Sequence, residues 1–200
     1  MATAFLLAMV PGQTAAMMMR QAIVGGTKSA YTTLIGTSSA LIFWGAASAI
    51  GLSQIFARSH AAYTALKYAG VAFLTFLALQ TLWTLRKEFG KFDFEGIAVT
   101  KLGPAFRLGL ITNLTNVKAA VFAVAFIPAF VPVDFSLGWG IFILSIVQSL
   151  VSASWYAFLI SIIGRATTTL AKPKVRRALT AFSAVGILFL AATLLFTSPR

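Results

Sequence analysis

The sequence predicts an all-α polytopic membrane protein with six transmembrane helices, and three observations predict it. Of 200 residues, 59% are hydrophobic and 10% charged, whereas a soluble domain carries about 25% charged residues. Apolar stretches recur at 2–24, 31–56, 66–85, 105–131, 137–163 and 178–197, close to the roughly 20 residues that cross a bilayer. The basic residues, which produce a net charge of +12, gather between these stretches. That placement is the habit of cytoplasmic loops and speaks against a nucleic-acid surface.

Span one, "LLAMVPGQTAAMMM", places Pro11 and Gly12 inside apolar sequence. Proline lacks an N–H, and its ring clashes with the carbonyl four residues back, that of Leu7. The freed carbonyl needs a neighbour or a protein-lined polar cavity. Pro11 also suits the first turn of a fresh half-helix, which would aim the N–H groups near Gly12, Gln13 and Thr14 into the break. A plain proline kink is the alternative. No Lys or Arg precedes Arg20, so the basic flank of a cleavable signal peptide is missing and the first span is expected to direct insertion.

Span two is rich in small residues, among them Gly36, Ser38, Ser39, Gly45 and Ala46, which let helix backbones approach closely. Its serines are also candidates for a polar cavity wall. Span three, "LKYAGVAFLTFLALQTL", holds no acid. The loop after it carries Glu88, Asp93 and Glu95; the fourth acid, Asp134, sits in "VPVDF".

Span four contains "TNLTNVKAAVF". Lys118 lies 11 residues beyond Arg107, a depth of about 16 Å at 1.5 Å per residue, near the middle of a core about 30 Å thick. A lysine stem does not reach water from there. Asn116 has the chemistry of a helix N-cap, which would restart a helix at Val117. Asn113 and Thr115 can satisfy backbone groups before it. On an unbroken helix Asn116 and Lys118 would point about 200° apart, so their convergence requires a break. The alternative is a lysine held by carbonyls of neighbouring helices. Ionisable groups at this depth generally serve function.

Span five offers Trp155 and Tyr156 as further cavity candidates, and span six follows the basic run "KPKVRR". The loops after spans one, three and five hold twelve of the sixteen Lys and Arg residues and the opposite side three. Those loops are therefore expected in the cytoplasm and both termini outside. Three spans per half reverse the second half, so an internal duplication must be an inverted 3+3 repeat, with halves of about 1–88 and 104–200 in one domain over 1–200. Cysteine is absent and His60 is the single histidine. No span carries a histidine, cysteine or carboxylate, so neither an enzyme, a metal nor a cofactor is expected.

"FRLGLITNLTNVKAAVFAVAFIPAF" (106–130) resembles the fourth-span signature of the lysine exporter and homoserine/threonine exporter (LysE/RhtB) family. "LKYAGVAFLTFLALQTL" resembles that family's third-span opening, and "VPGQT" its Pro-Gly-Pro break. The resemblance implies a six-helix exporter of amino acids in the bacterial inner membrane, driven by the proton-motive force. Carried over, it places the transport site at Pro11, Gly12, Gln13, Thr14, Asn113, Asn116 and Lys118, with Ser38, Ser39, Trp155 and Tyr156 as possible cavity residues. Two departures stand out: Gln13 replaces the second proline of the first motif, and Val117 replaces the proline of Asn-Pro-Lys. With no acid in spans two or five, a neutral zwitterion is expected over a cationic substrate. An uncoupled facilitator is the rival. Expected partners are the small-molecule substrate and membrane lipid, with a homo-oligomer as an option.

Overall fold

The computed structural model describes residues 8, 13–84, 98–132, 134–170 and 173–196. All of its regular structure is helical. Helix α1 (Gln13–Arg20) runs into a wide turn at Gln21–Gly25, and α2 covers Thr27–Arg58. Next come α3 (His60–Thr84), α4 (Leu102–Leu114) and α5 (Val117–Val121), which continues through a wide turn at Phe122–Phe126 and a tight one at Ile127–Phe130. The chain then forms α6 (Leu137–Leu170) and α7 (Pro173–Phe196).

Among the described residues, three segments are long and apolar enough to cross a membrane: Thr27–Gly51, Thr64–Trp83 and Leu137–Ile162. The bent pair Leu102–Leu114 and Val117–Phe130 makes a fourth if counted as one span. The sixth expected stretch contains the shorter apolar helix Ala184–Phe196, and residues 2–7 and 9–12 of the first, Pro11 and Gly12 among them, lie outside the described residues.

The molecule is built with its apolar side chains outward. Ile35, Ile50, Phe76, Trp139, Leu150 and Phe196 are exposed, whereas Thr33, Thr37, Asn113, Gln148, Ser149 and Ser152 are buried. A soluble protein of this size rarely shows so extensive an apolar surface. In lipid it carries no penalty, and polar groups are instead driven inward toward one another. Lys67, expected at the outer edge of the third span, is buried in α3, with its amine 5.9 Å from the centre of the Tyr68 ring.

Helix α2 is the hub, packing most extensively against α4 and α6, while α3 packs against α7. Glycine makes the α2–α4 contact possible. A Cβ on Gly109 would lie 2.0 Å from the Thr33 carbonyl oxygen, and one on Gly36 would lie 2.1 Å from that of Phe106. The two backbones therefore touch, each helix offering a glycine to the other. On the α6 side, Gly45 is closed off by Ser145, which a Cβ would meet at 2.2 Å. This is the small-residue packing expected of span two.

Two apolar clusters hold the rest. One joins Leu74 and Ala78 of α3 to Phe122, Phe126, Ile141, Ile187, Leu190 and Leu194; the rings of Phe122 and Phe126 stack at 4.5 Å. The other joins Met18 of α1 to Ala30 and Leu34 of α2 and to Tyr156, Leu159 and Ile160 of α6. The irregular turns of α5 follow from Pro128, which cannot donate and would press on the carbonyl of Val124. A carbonyl loosened in the wide turn, that of Ala123, accepts a hydrogen bond from Ser48 Oγ at 2.9 Å.

The turn from α1 to α2 is fastened by one side chain. Gln21, fully buried, donates to Ser29 Oγ and to the Val99 carbonyl, and its Oε1 accepts from the Val99 N–H at 3.2 Å. Its carboxamide thus pairs with a whole peptide unit and straps residues 98–101 to the start of α2. Gly26, at φ 84°, makes the left-handed turn that side chains disfavour.

Replacing Gly109 with Ala should cost about 2 kcal/mol through overpacking, lowering Tm by roughly 4–8 °C at this chain length. Gly51→Ala, where an added Cβ meets nothing within 4 Å, should leave Tm unchanged in the same detergent melt. Gln21→Leu should expose the Val99 amide, read as faster hydrogen exchange at that residue while exchange within α2 stays slow.

Candidate functional site

The fourth span breaks where the sequence turns polar. Helix α4 stops at Leu114, α5 starts at Val117, and their axes differ by 59°. Thr115 ends α4 by folding back, its N–H and Oγ1 both donating to the Ile111 carbonyl, at 3.0 and 2.9 Å. Asn116 is extended (φ −80°, ψ 102°), and its Oδ1 accepts the Lys118 N–H at 3.1 Å. The first carbonyl of the new helix, that of Asn116, accepts from the Ala120 N–H at 3.1 Å. An asparagine N-cap alone restarts the helix, with valine where a proline would fix the turn.

The rest of the Asn116 amide reaches across the molecule. Its Nδ2 donates to Thr14 Oγ1 at 3.2 Å and, more weakly, to Asn113 Oδ1 at 3.5 Å. Asn113 Nδ2 donates to the Thr37 carbonyl at 3.1 Å, and Thr37 Oγ1 to the Gly109 carbonyl at 3.4 Å. These bonds join α1, α2, α4 and α5, and thereby the two halves of the chain. Each of these side chains has found a partner, as a low-dielectric setting demands.

The network forms one wall of a cavity of about 30 Å³, into which Thr14, Asn113, Asn116 and Lys118 all face. Thr37 and Leu41 of α2 and Gln148, Ser152 and Tyr156 of α6 complete the lining. The space is small, with room for a few water molecules.

Among the described residues, Lys118 is the one Lys, Arg, Asp or Glu on this lining. Its amine makes no hydrogen bond or ion pair among the described residues. No group of three or more His, Cys, Asp or Glu side chains that could hold a metal occurs among them either. The lining is equipped to bind an anion or dipolar molecule.

Of the residues singled out from sequence, Thr14, Asn113, Asn116, Lys118 and Tyr156 share this cavity. Pro11 and Gly12, and the Gln13 side chain, lie outside what is described. Three others sit elsewhere. Ser39 Oγ bonds back to the Ile35 carbonyl, and Ser38 meets Ser149 of α6 through its own carbonyl. One helical step is about 100°, so with Thr37 and Leu41 facing the cavity, Ser38 and Ser39 turn away. Trp155 lines a separate outer groove with Val151, Ser154 and Phe158, one step around α6 from Tyr156. Gln148 and Ser152 escaped the sequence reading, although Gln148, Ser152 and Tyr156 recur every four residues and so share one helix face.

The LysE type translocator family model matches residues 5–198 of the chain. An uncharacterized membrane protein of Bacillus subtilis is 25% identical over 167 residues, covering 80% of this chain and 79% of that relative. The homoserine/homoserine lactone efflux protein of Salmonella typhimurium is 33% identical over 130 residues, covering 64% of this chain and 61% of its own length. The threonine efflux protein of Escherichia coli is 27% identical over 157 residues, with shares of 77% and 75%. No solved structure matches the chain. A polar cavity inside a helical body with an apolar exterior, together with a family match over nearly the whole length, leads to one conclusion: the chain belongs to the LysE type translocator family of membrane transporters and is not an enzyme.

Proposed function

We propose that the chain is a secondary exporter of small zwitterionic amino acids, working by alternating access in the bacterial inner membrane and driven by the proton-motive force. The observation that carries this reading is the hydrogen bond from Asn116 to Thr14. It joins the second half's break to the helix that follows Pro11 and Gly12, at a cavity whose single charge is Lys118. On this reading the substrate carboxylate sits against Lys118, which engages it or carries the coupled proton, and Pro11, Gly12 and Gln13 shape the first half's contribution. The efflux proteins among the relatives, named for homoserine and threonine, support a substrate of that size.

The architecture proposed with it is six spans in an inverted 3+3 repeat: α1, α2 and α3, then the α4–α5 pair, α6 and α7. Loops after the first, third and fifth spans face the cytoplasm, and both termini face the periplasm. The basic-residue bias supports the orientation. A small polar cavity at the junction of the two halves supports alternation over a continuous pore, since such a site opens to one side at a time.

In vesicles loaded with radiolabelled threonine or homoserine, an imposed pH gradient should drive concentrative export. Collapsing the gradient should abolish it; export indifferent to the gradient would identify a facilitator. Lys118→Met should reduce flux to the background of empty vesicles while membrane insertion and yield persist, and normal export by this variant overturns the assignment of the site. Asn116→Ala should cost about 1 kcal/mol as a lost N-cap, or roughly 2–4 °C in Tm. Its flux should fall far more, by about tenfold or beyond, because the link to Thr14 goes with it.

A further inference from the structure

The two walls of the cavity differ in what their hydrogen-bonding groups have left to give. On the broken-helix wall every side-chain amide and hydroxyl already takes part in a hydrogen bond. Asn116 Oδ1 takes the Lys118 N–H, Asn113 Oδ1 and Thr14 Oγ1 take the Asn116 amide, and the Thr37 carbonyl takes Asn113. The α6 wall is the reverse. Gln148, Ser152 and Tyr156 are 6%, 7% and 4% exposed, face the same cavity, and form no hydrogen bond with any described residue. Buried polar groups are ordinarily paired, and those left unpaired inside a cavity mark a place for a ligand.

We infer that the α6 strip of Gln148, Ser152 and Tyr156 is the pole that receives the substrate's α-ammonium, opposite the pole at Lys118 that receives its carboxylate. This deepens the proposed function and rests on it. Two physical arguments converge. An ammonium has three donors and no acceptor, so it requires free lone pairs, and Gln148 Oε1, Ser152 Oγ and Tyr156 Oη are oxygens of this lining that no hydrogen bond to a described residue occupies. Lys118 repels a second cation in a low-dielectric cavity, which pushes the ammonium toward the far wall. The spacing fits a small ligand: Gln148 and Ser152 are one helical turn apart, so both oxygens converge on one group. Gln148 is the discriminating member because its carboxamide oxygen is the strongest acceptor of the three, and a neutral acceptor in that position also leaves a second substrate cation without a counter-charge.

The test uses the purified full chain in liposomes and two probes: threonine and 2,3-dihydroxybutanoate, its analogue with a hydroxyl in place of the ammonium. Each is measured below its KM, so the ratio of fluxes reports the preference in kcat/KM. The wild type should prefer threonine. Gln148→Leu should lower that preference by about tenfold or more, since a buried ammonium loses an acceptor, and Ser152→Ala should lower it in the same direction. Gln148→Glu, equal in reach and still an acceptor, should keep it. The inference is overturned if Gln148→Leu slows both probes equally, which is a packing role, or if it leaves the preference unchanged. Equal failure of the Leu and Glu variants overturns it as well. A wild-type protein that moves no amino acid at all overturns the exporter reading itself, and the pole assignment with it.

Discussion

Backbone polar groups inside hydrocarbon must find partners within the protein, and the break at Thr115 and Asn116 is where this chain meets that demand most severely. An interrupted helix loses several internal hydrogen bonds, and there is no water in the bilayer core to replace them. Here Thr115 recovers the end of α4, while the Asn116 side chain caps α5 and its amide bonds Thr14. One asparagine thus performs two tasks: it restarts the helix locally and ties the break to α1. The 59° bend follows, and so does the placing of Lys118 on the cavity rather than in lipid.

The close approach of α2 and α4 is what lets the network exist. Gly36 and Gly109 bring the backbones together, so that Asn113 reaches the Thr37 carbonyl and Thr37 reaches that of Gly109. Larger residues at either glycine would hold the helices apart and leave both amide and hydroxyl unpaired at the same time. Packing and polarity are coupled here, because in lipid the cohesion between helices comes from contact and hydrogen bonding rather than from expelled water. The Gln21 strap applies the same logic at the α1–α2 turn, where a side-chain amide serves a peptide unit that no helix satisfies.

A transport site has to bind its ligand while remaining able to release it. The cavity combines one lysine, a wall whose side chains are bonded into the fold, and a wall whose groups bond no described residue. The first wall is preorganised and costs nothing further to assemble when a ligand arrives. The second, on a single continuous helix, can shift as a body relative to the first. Such a division suits a site that alternates between two openings, with the structural network staying whole while the facing helix moves.

Much of this was legible in the residues. Long apolar stretches and the distribution of Lys and Arg predicted a polytopic helical protein, because burial in lipid acts on every residue of a span and leaves a strong compositional trace. The break at Asn116 was legible too, since N-capping acts over two residues and needs no distant partner. What the tertiary structure alone decided was which faces meet: Thr14 against Asn116, and the Gln148 face of α6 rather than Ser38, Ser39 or Trp155 on the cavity. The reason is physical. A membrane helix is apolar toward lipid and mostly apolar toward its neighbours, so its sequence carries little amphipathic signal, and its rotation is set by where glycines allow another backbone to touch it.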